Sequence, residues 1–195
     1  MSAEQLGRRL ERLADTLSAQ DFLQGAGIGN EISFHVFAYP PEYEAIVADY
    51  LPRLVSQLEH RGVNVLLFNL YELIIEELTD RDLLEKSFEL EGQKGTKKLE
   101  AALRKFVHPD NLIARMKPRL DGPHDLVLLT GVGAAYPLIR SHTILNNLHP
   151  VIARVPLVLF FPGSYTGNEL RLFDRLKDDN YYRAFPLLQE AVISR

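Results

Sequence analysis

Six residues near two strand ends have types and spacing that suit anion binding. At 125–142 the chain reads "DLVLLTGVGAAYPLIRSH". An apolar run meets Thr130, Gly131 and Gly133, and Arg140 follows just beyond Pro137. At 155–167 a second apolar run meets "FPGSYTG", with Gly163 and Ser164 at its end. Strand, glycine turn and helix in that order can cradle a phosphate, because glycine lets the backbone approach and the helix start presents N–H groups. The detailed nucleotide motifs do not match. A Walker loop needs Lys and Ser/Thr after its last glycine, and "TGVGAAYP" has neither. A dinucleotide fingerprint needs a third glycine where Tyr136 stands. Two readings therefore stay open: an anion loop built from Thr130, Gly131, Gly133, Arg140, Gly163 and Ser164, or tight turns whose glycines serve packing, with Pro137 starting the next helix.

Other chemistries find less support. None of the six histidines (His35, His60, His108, His124, His142, His149) pairs at i, i+4, so no metal site is expected, and His35 reads as a core residue of an apolar strand. Glu72, Glu76, Glu77 and Asp80 read as an exposed helix face rather than a metal site. "EGQKGTKK" follows an acidic helix, not a strand, and reads as a solvated loop. Ser164 adjoins Gly163 directly, so it lacks the G-x-S-x-G spacing of a nucleophile elbow. No catalytic constellation and no cofactor is expected. "NYYRAF" places Tyr181, Tyr182, Arg183 and Phe185 together, near Tyr165. Tyr and Arg are favoured interface anchors, so this is a candidate partner-binding segment; closing a core with hydroxyls at the rim is its alternative.

The elements that must position these residues follow from hydrophobic pattern. Runs at 32–40, 63–70, 125–130 and 155–162 read as strands, the second as buried on both faces. Leu6, Leu10, Leu13 and Leu17 mark an amphipathic helix within 1–24, with Arg8, Arg9, Glu11 and Arg12 among them. A glycine-rich connector, "GAGIGNEI", follows. Apolar positions from Tyr43 to Leu58 mark a second helix, opened by Pro41, closed by Gly62 and kinked or restarted at Pro52. Residues 71–122 read as a helical insertion or crossover, with Thr79 and Asp82 as a capping box. Helices are expected at 137–148 and 168–176, and an edge strand within 180–188. The sum is a single α/β domain: a mainly parallel open sheet of four to five strands with helices on both faces, resembling a degenerate nucleotide-binding fold.

Bulk composition narrows the function classes. The chain has 195 residues, no cysteine and a net charge of −4. Thiolate chemistry and disulfides are excluded, and direct DNA binding by the chain alone is not expected without a basic footprint. No apolar stretch is long enough to span a bilayer, and "MSAEQLGRRLERLADTL" lacks the apolar core of a signal peptide. A soluble cytoplasmic protein is the expectation.

With those residues in hand, three segments carry a family resemblance: "FHVFAYPPEYEAIV", "TGVGAAYPLIRSHTILNNL" and "VPLVLFFPGSYTGNELRLFDRLKDDNYYRAFPL". Together they resemble the BrxB family of bacterial BREX phage-defence systems, from about Phe34 to Leu187. The resemblance implies a small component without catalytic residues. It would act within an assembly that includes a methyltransferase, a large ATPase and PglZ, a protein with an alkaline-phosphatase-like domain. Other BREX proteins, above all PglZ, are the implied partners. The positions that carry the resemblance are Gly131, Gly133, Pro137, Arg140, Pro162, Gly163, Tyr165, Tyr182, Arg183 and Phe185.

Overall fold

The computed structural model describes residues 1–24, 34–148, 150–152, 155–167, 169–177 and 184–188. Five strands form one parallel sheet: β1 (Phe34–Tyr39), β2 (Val65–Asn69), β3 (Leu126–Thr130), β4 (Leu157–Tyr165) and, at the far edge, β7 (Phe185–Pro186), in the order β2-β3-β4-β1-β7. The chain thus leaves β1 for the opposite edge and returns strand by strand to β4, which lies beside β1. Two short strands, β5 (Leu170–Leu172) and β6 (Leu176–Lys177), continue antiparallel from the end of β4.

Helices cover both faces. On one face α1 (Ala3–Ser18) and α3 (Glu44–His60) pack on Phe37, Leu126, Leu128, Val158 and Phe160. On the other, α4 (Leu70–Asp80), α7 (Pro109–Leu120), α8 (Val132–Ala135) and α9 (Ser141–Leu148) pack on Phe34, Val36, Val127, Leu129, Leu157 and Phe161. The alternating sides of β1, β3 and β4 thus feed two separate cores, which is why those strands read as continuous apolar runs. β2 departs from that expectation. It is an edge strand, and only Phe68 in it is fully buried.

The leucine stripe of α1 is buried as its spacing requires, and Ser2 with Gln5 closes a capping box at its start. A short helix, α2 (Gln20–Leu23), follows. Arg9 corrects the reading of the polar positions: it is 3% exposed. It lies three residues after Leu6 and four before Leu13, on the apolar face itself. Its guanidinium stacks on the Phe37 ring and donates to the carbonyls of Ala38 and Leu188, both at 2.9 Å. One side chain therefore joins the first helix, the end of β1 and the C-terminal segment.

α3 runs without interruption through Pro52. The carbonyl that Pro52 leaves without a helical partner belongs to Ala48; both residues are exposed, so that carbonyl is not left buried without a donor and no restart is needed. Gly62, at φ 79°, closes α3 in a Schellman motif: its N–H bonds to the Glu59 carbonyl and that of Val63 to the Leu58 carbonyl.

Between β2 and β3 the chain forms α4, α5 (Leu84–Lys94), α6 (Thr96–Leu103) and α7. The capping box expected at Thr79 does not form. α4 continues to Asp80, and the Thr79 hydroxyl bonds back to the Ile75 carbonyl within it. Nor is the acidic face of α4 wholly exposed. Glu77 is 5% exposed and receives hydrogen bonds from Arg81 and from Arg115 of α7, whose other arm reaches Asp80 at 2.7 Å. Burial pushes the Glu77 pKa up, but these hydrogen bonds more than offset it and hold the carboxyl below its usual range. The pair clamps α7 to α4.

The helix expected at 168–176 does not form over the described residues 169–176. Leu170 and Leu172 are buried and Arg171 is exposed, a period of two that pairs with Gly163, Ser164 and Tyr165 of β4. Phe173 and Asp174 turn the chain with φ of 56° and 58°, the sign that a primed hairpin turn requires.

Candidate functional site

The glycine turn after β3 is packed against the protein. Gly131 has φ 73°, and a Cβ there would lie 1.9 Å from the Asn69 side-chain oxygen. That oxygen is held because it caps α4, accepting from the N–H groups of Tyr71 and Glu72. A Cβ on Gly133 would lie 3.0 Å from the Phe173 ring and 3.2 Å from Pro162. Thr130 is buried, and its hydroxyl donates to the Phe68 carbonyl at 3.3 Å. The room a phosphate would need beside these residues is taken by Asn69, Phe173 and Pro162. The helix that follows is also displaced: Tyr136 before Pro137 is extended, as a residue preceding proline tends to be, so α8 ends at Ala135 and the next helix starts at Ser141 rather than at Pro137.

The remaining loop residues separate into two clefts. The first opens beyond the carboxyl ends of β1 and β4, where open parallel sheets hold ligands. Its volume is about 540 Å³, and Tyr39, Pro40, Gly163, Ser164, Asp174 and Arg9 are among its lining residues. Two of its polar side chains are already engaged elsewhere in the protein, Arg9 with backbone carbonyls and Tyr39 with Glu44. The Tyr39 hydroxyl donates to Glu44 at 2.7 Å, and burial, with that carboxylate, raises its pKa. Ser164 lies opposite Arg171 in the β4–β5 ladder, and no hydrogen bond joins it to a base among the described residues. The second cleft, of about 250 Å³, lies between the start of α9 and the β5–β6 hairpin. It gathers Arg140 with Ser141, Arg175 and Lys177. Of the candidate loop residues, the structure therefore brings Gly163 and Ser164 together in one cleft and sets Arg140 apart in another. Arg175 and Lys177 escape sequence reasoning, because they reach Arg140 only through a hairpin that reads as a helix.

The candidate partner residues also separate. Tyr165 is buried; its hydroxyl donates toward the carbonyls of Ala184 and Gly167 at 2.7 Å and accepts from the Ala184 N–H at 3.1 Å. It anchors the segment that leads into β7. Phe185 is 44% exposed at the sheet edge. Tyr181, Tyr182 and Arg183 lie outside the described residues.

The rings of Phe185 and Phe22 both pack against His35, with centroids 5.7 and 4.7 Å from its own. Burial lowers the His35 pKa from 6.5 to about 4. The unfolded chain therefore takes up a proton between those values while the folded chain does not, so stability is complete above pH 6.5 and falls as pH drops toward 4. The expected result is a lower urea midpoint at pH 5 than at pH 7, with the difference reduced in His35→Phe. An equal pH difference in both proteins would show that His35 is not the group responsible. Among the described residues no cluster of His, Cys, Asp or Glu could hold a metal, and no helix is long and apolar enough to cross a membrane.

Comparison with known proteins adds a family. The profile described as "BREX protein BrxB" matches residues 66–187. A protein of that name from Bacillus cereus (strain H3081.97) is 40% identical over 190 residues, covering 95% of this chain and 98% of the relative. A protein of the same name from Escherichia coli O9:H4 (strain HS) is 33% identical over 183 residues, covering 93% and 91%. No solved structure matches significantly.

Proposed function

Because the chain belongs to the BrxB family of BREX proteins, we propose that it serves phage defence as a non-enzymatic adaptor, acting in the cytoplasm through contacts with other BREX proteins, PglZ foremost. One observation carries this reading: the hairpin of α5 and α6 adds little to the fold. It touches the core through Leu83, Leu84, Leu99 and Leu103, and only Ser87 and Leu103 within its helices are buried. Phe88 on α5 is 58% exposed. An aromatic held out on a rigid helix gives a partner a large contact area at little cost in side-chain entropy. The exposed Phe185 edge, with Tyr181, Tyr182 and Arg183 adjoining it in sequence, forms a second candidate contact, and Tyr165 fixes its approach.

The test is affinity purification of the tagged protein from cells carrying its neighbouring genes, read by mass spectrometry. PglZ or another BREX component is expected in fixed ratio. Phe88→Asp is expected to cut that recovery about tenfold or more, the effect of losing a hot-spot residue, without lowering the thermal midpoint. Recovery of the protein alone at low salt would count against the adaptor reading. Full recovery with both Phe88→Asp and Phe185→Asp would remove these surfaces from it.

A further inference from the structure

The cleft at the start of α9 is built from two unrelated parts of the chain. Arg140 immediately precedes the helix, and its carbonyl accepts from the N–H groups of Thr143 and Ile144 at 3.1 and 3.2 Å. Its backbone is thereby fixed at the helix start, where the peptide dipoles sum to a positive end. Ser141, the first residue of α9, is 4% exposed and lines the cleft, and its hydroxyl, which makes no hydrogen bond among the described residues, keeps its access to the cleft solvent. The opposite wall is the β5–β6 hairpin, which brings Arg175 and Lys177. Neither Arg140 nor Arg175 has a carboxylate within 4.0 Å among the described residues. Lys177 shares Glu169 with Arg171, at 2.9 Å from it. On a chain of net charge −4, the lining of this recess is cationic.

We propose that this cleft binds a phosphate monoester, the dianionic terminal phosphate of a small molecule. The two arginines supply planar donor forks suited to phosphate oxygens, Ser141 supplies a hydroxyl donor, and the helix start favours negative charge. Tyr136 and Leu172 offer an apolar wall for the remainder of the ligand. A phosphodiester backbone fits less well: each phosphate carries one charge and is met by a stripe of cations on an open surface, whereas these cations converge on a recess. The site is separate from the glycine turn, and it stands or falls independently of the adaptor reading.

Calorimetric titration of the full-length chain with AMP and with ribose 5-phosphate, both phosphate monoesters, at low ionic strength tests the proposal. Wild type is expected to bind at least one of them. Arg140→Ala and Arg175→Ala are each expected to weaken that binding roughly ten- to a hundredfold, as loss of a charged hydrogen bond does, and Ser141→Ala less. Arg53→Ala, on the far face of the sheet, is expected to leave affinity unchanged. Arg140→Lys keeps the charge but not the fork, so intermediate affinity supports bidentate contact. No heat with either compound, or affinity that survives both arginine-to-alanine changes, overturns the site. So does tight binding of a duplex oligonucleotide that AMP fails to displace.

Discussion

Gly163→Ala is expected to destabilise the chain by roughly 3 kcal/mol or more, combining backbone strain with a forced separation of packed groups. Gly163 has φ 153°, and a Cβ there would stand 2.1 Å from the Arg171 carbonyl oxygen and 3.0 Å from the Phe173 nitrogen. Both neighbours are backbone, so no rotamer change relieves the clash. The position is also where β4 changes partner. Through Pro162 it pairs parallel with β1, and from Gly163 onward it pairs antiparallel with β5. A side chain at this junction drives the β5–β6 hairpin away and carries Arg175 and Lys177 with it. For a chain of this size the thermal midpoint should fall by roughly 6–12 °C. Gly167→Ala is the control. Its φ is also positive, at 92°, but a Cβ there meets nothing within 4 Å, so it bears the backbone strain alone. Equal effects of the two substitutions on the midpoint would mean that the β4–β5 approach is not tight.

Arg9→Ala is expected to cost about 3 kcal/mol, from a charged donor set and a stacked cation removed together. The loss leaves the carbonyls of Ala38 and Leu188 without their donor, and water entering from the adjoining cleft restores part of it. Because the guanidinium fork serves carbonyls from separate segments, Arg9→Lys should recover less than half of the loss. Hydrogen exchange separates local from global effects: the Leu187 amide, bonded to the Val36 carbonyl at 2.9 Å, should lose protection before the amides of β3 and β4. Unchanged exchange at Leu187 in Arg9→Ala would refute the role assigned to this side chain.

What the amino-acid pattern reveals depends on how far each element relies on distant contacts. β3 and β4 are legible because both their faces are buried, and the end of α3 is legible because a left-handed residue after a helix calls for glycine. The β5–β6 hairpin is not legible. Its alternation spans only Leu170, Arg171 and Leu172, and its turn uses Phe173 and Asp174 where glycine or asparagine would be the signal. What makes it a hairpin is the extension of β4 past Gly163, a long-range pairing with no local mark. The glycine turn is misleading for a related reason. Gly131 and Gly133 look like ligand-facing glycines, but the atoms that require them are Asn69, Phe173 and Pro162 of the protein itself. Arg9 is an intermediate case: its place on the leucine face is visible in its spacing, and its charge alone argues against burial.

The contact that Arg9 makes also ties together segments far apart in sequence. One guanidinium meets Met1 Sδ at 3.3 Å and the Leu188 carbonyl at 2.9 Å, so the first residue and the end of the described chain meet at one corner of the sheet. That corner therefore works as a clasp: loosening it frees the first helix and the β7 edge together, while the pairings among β2, β3, β4 and β1 stay intact.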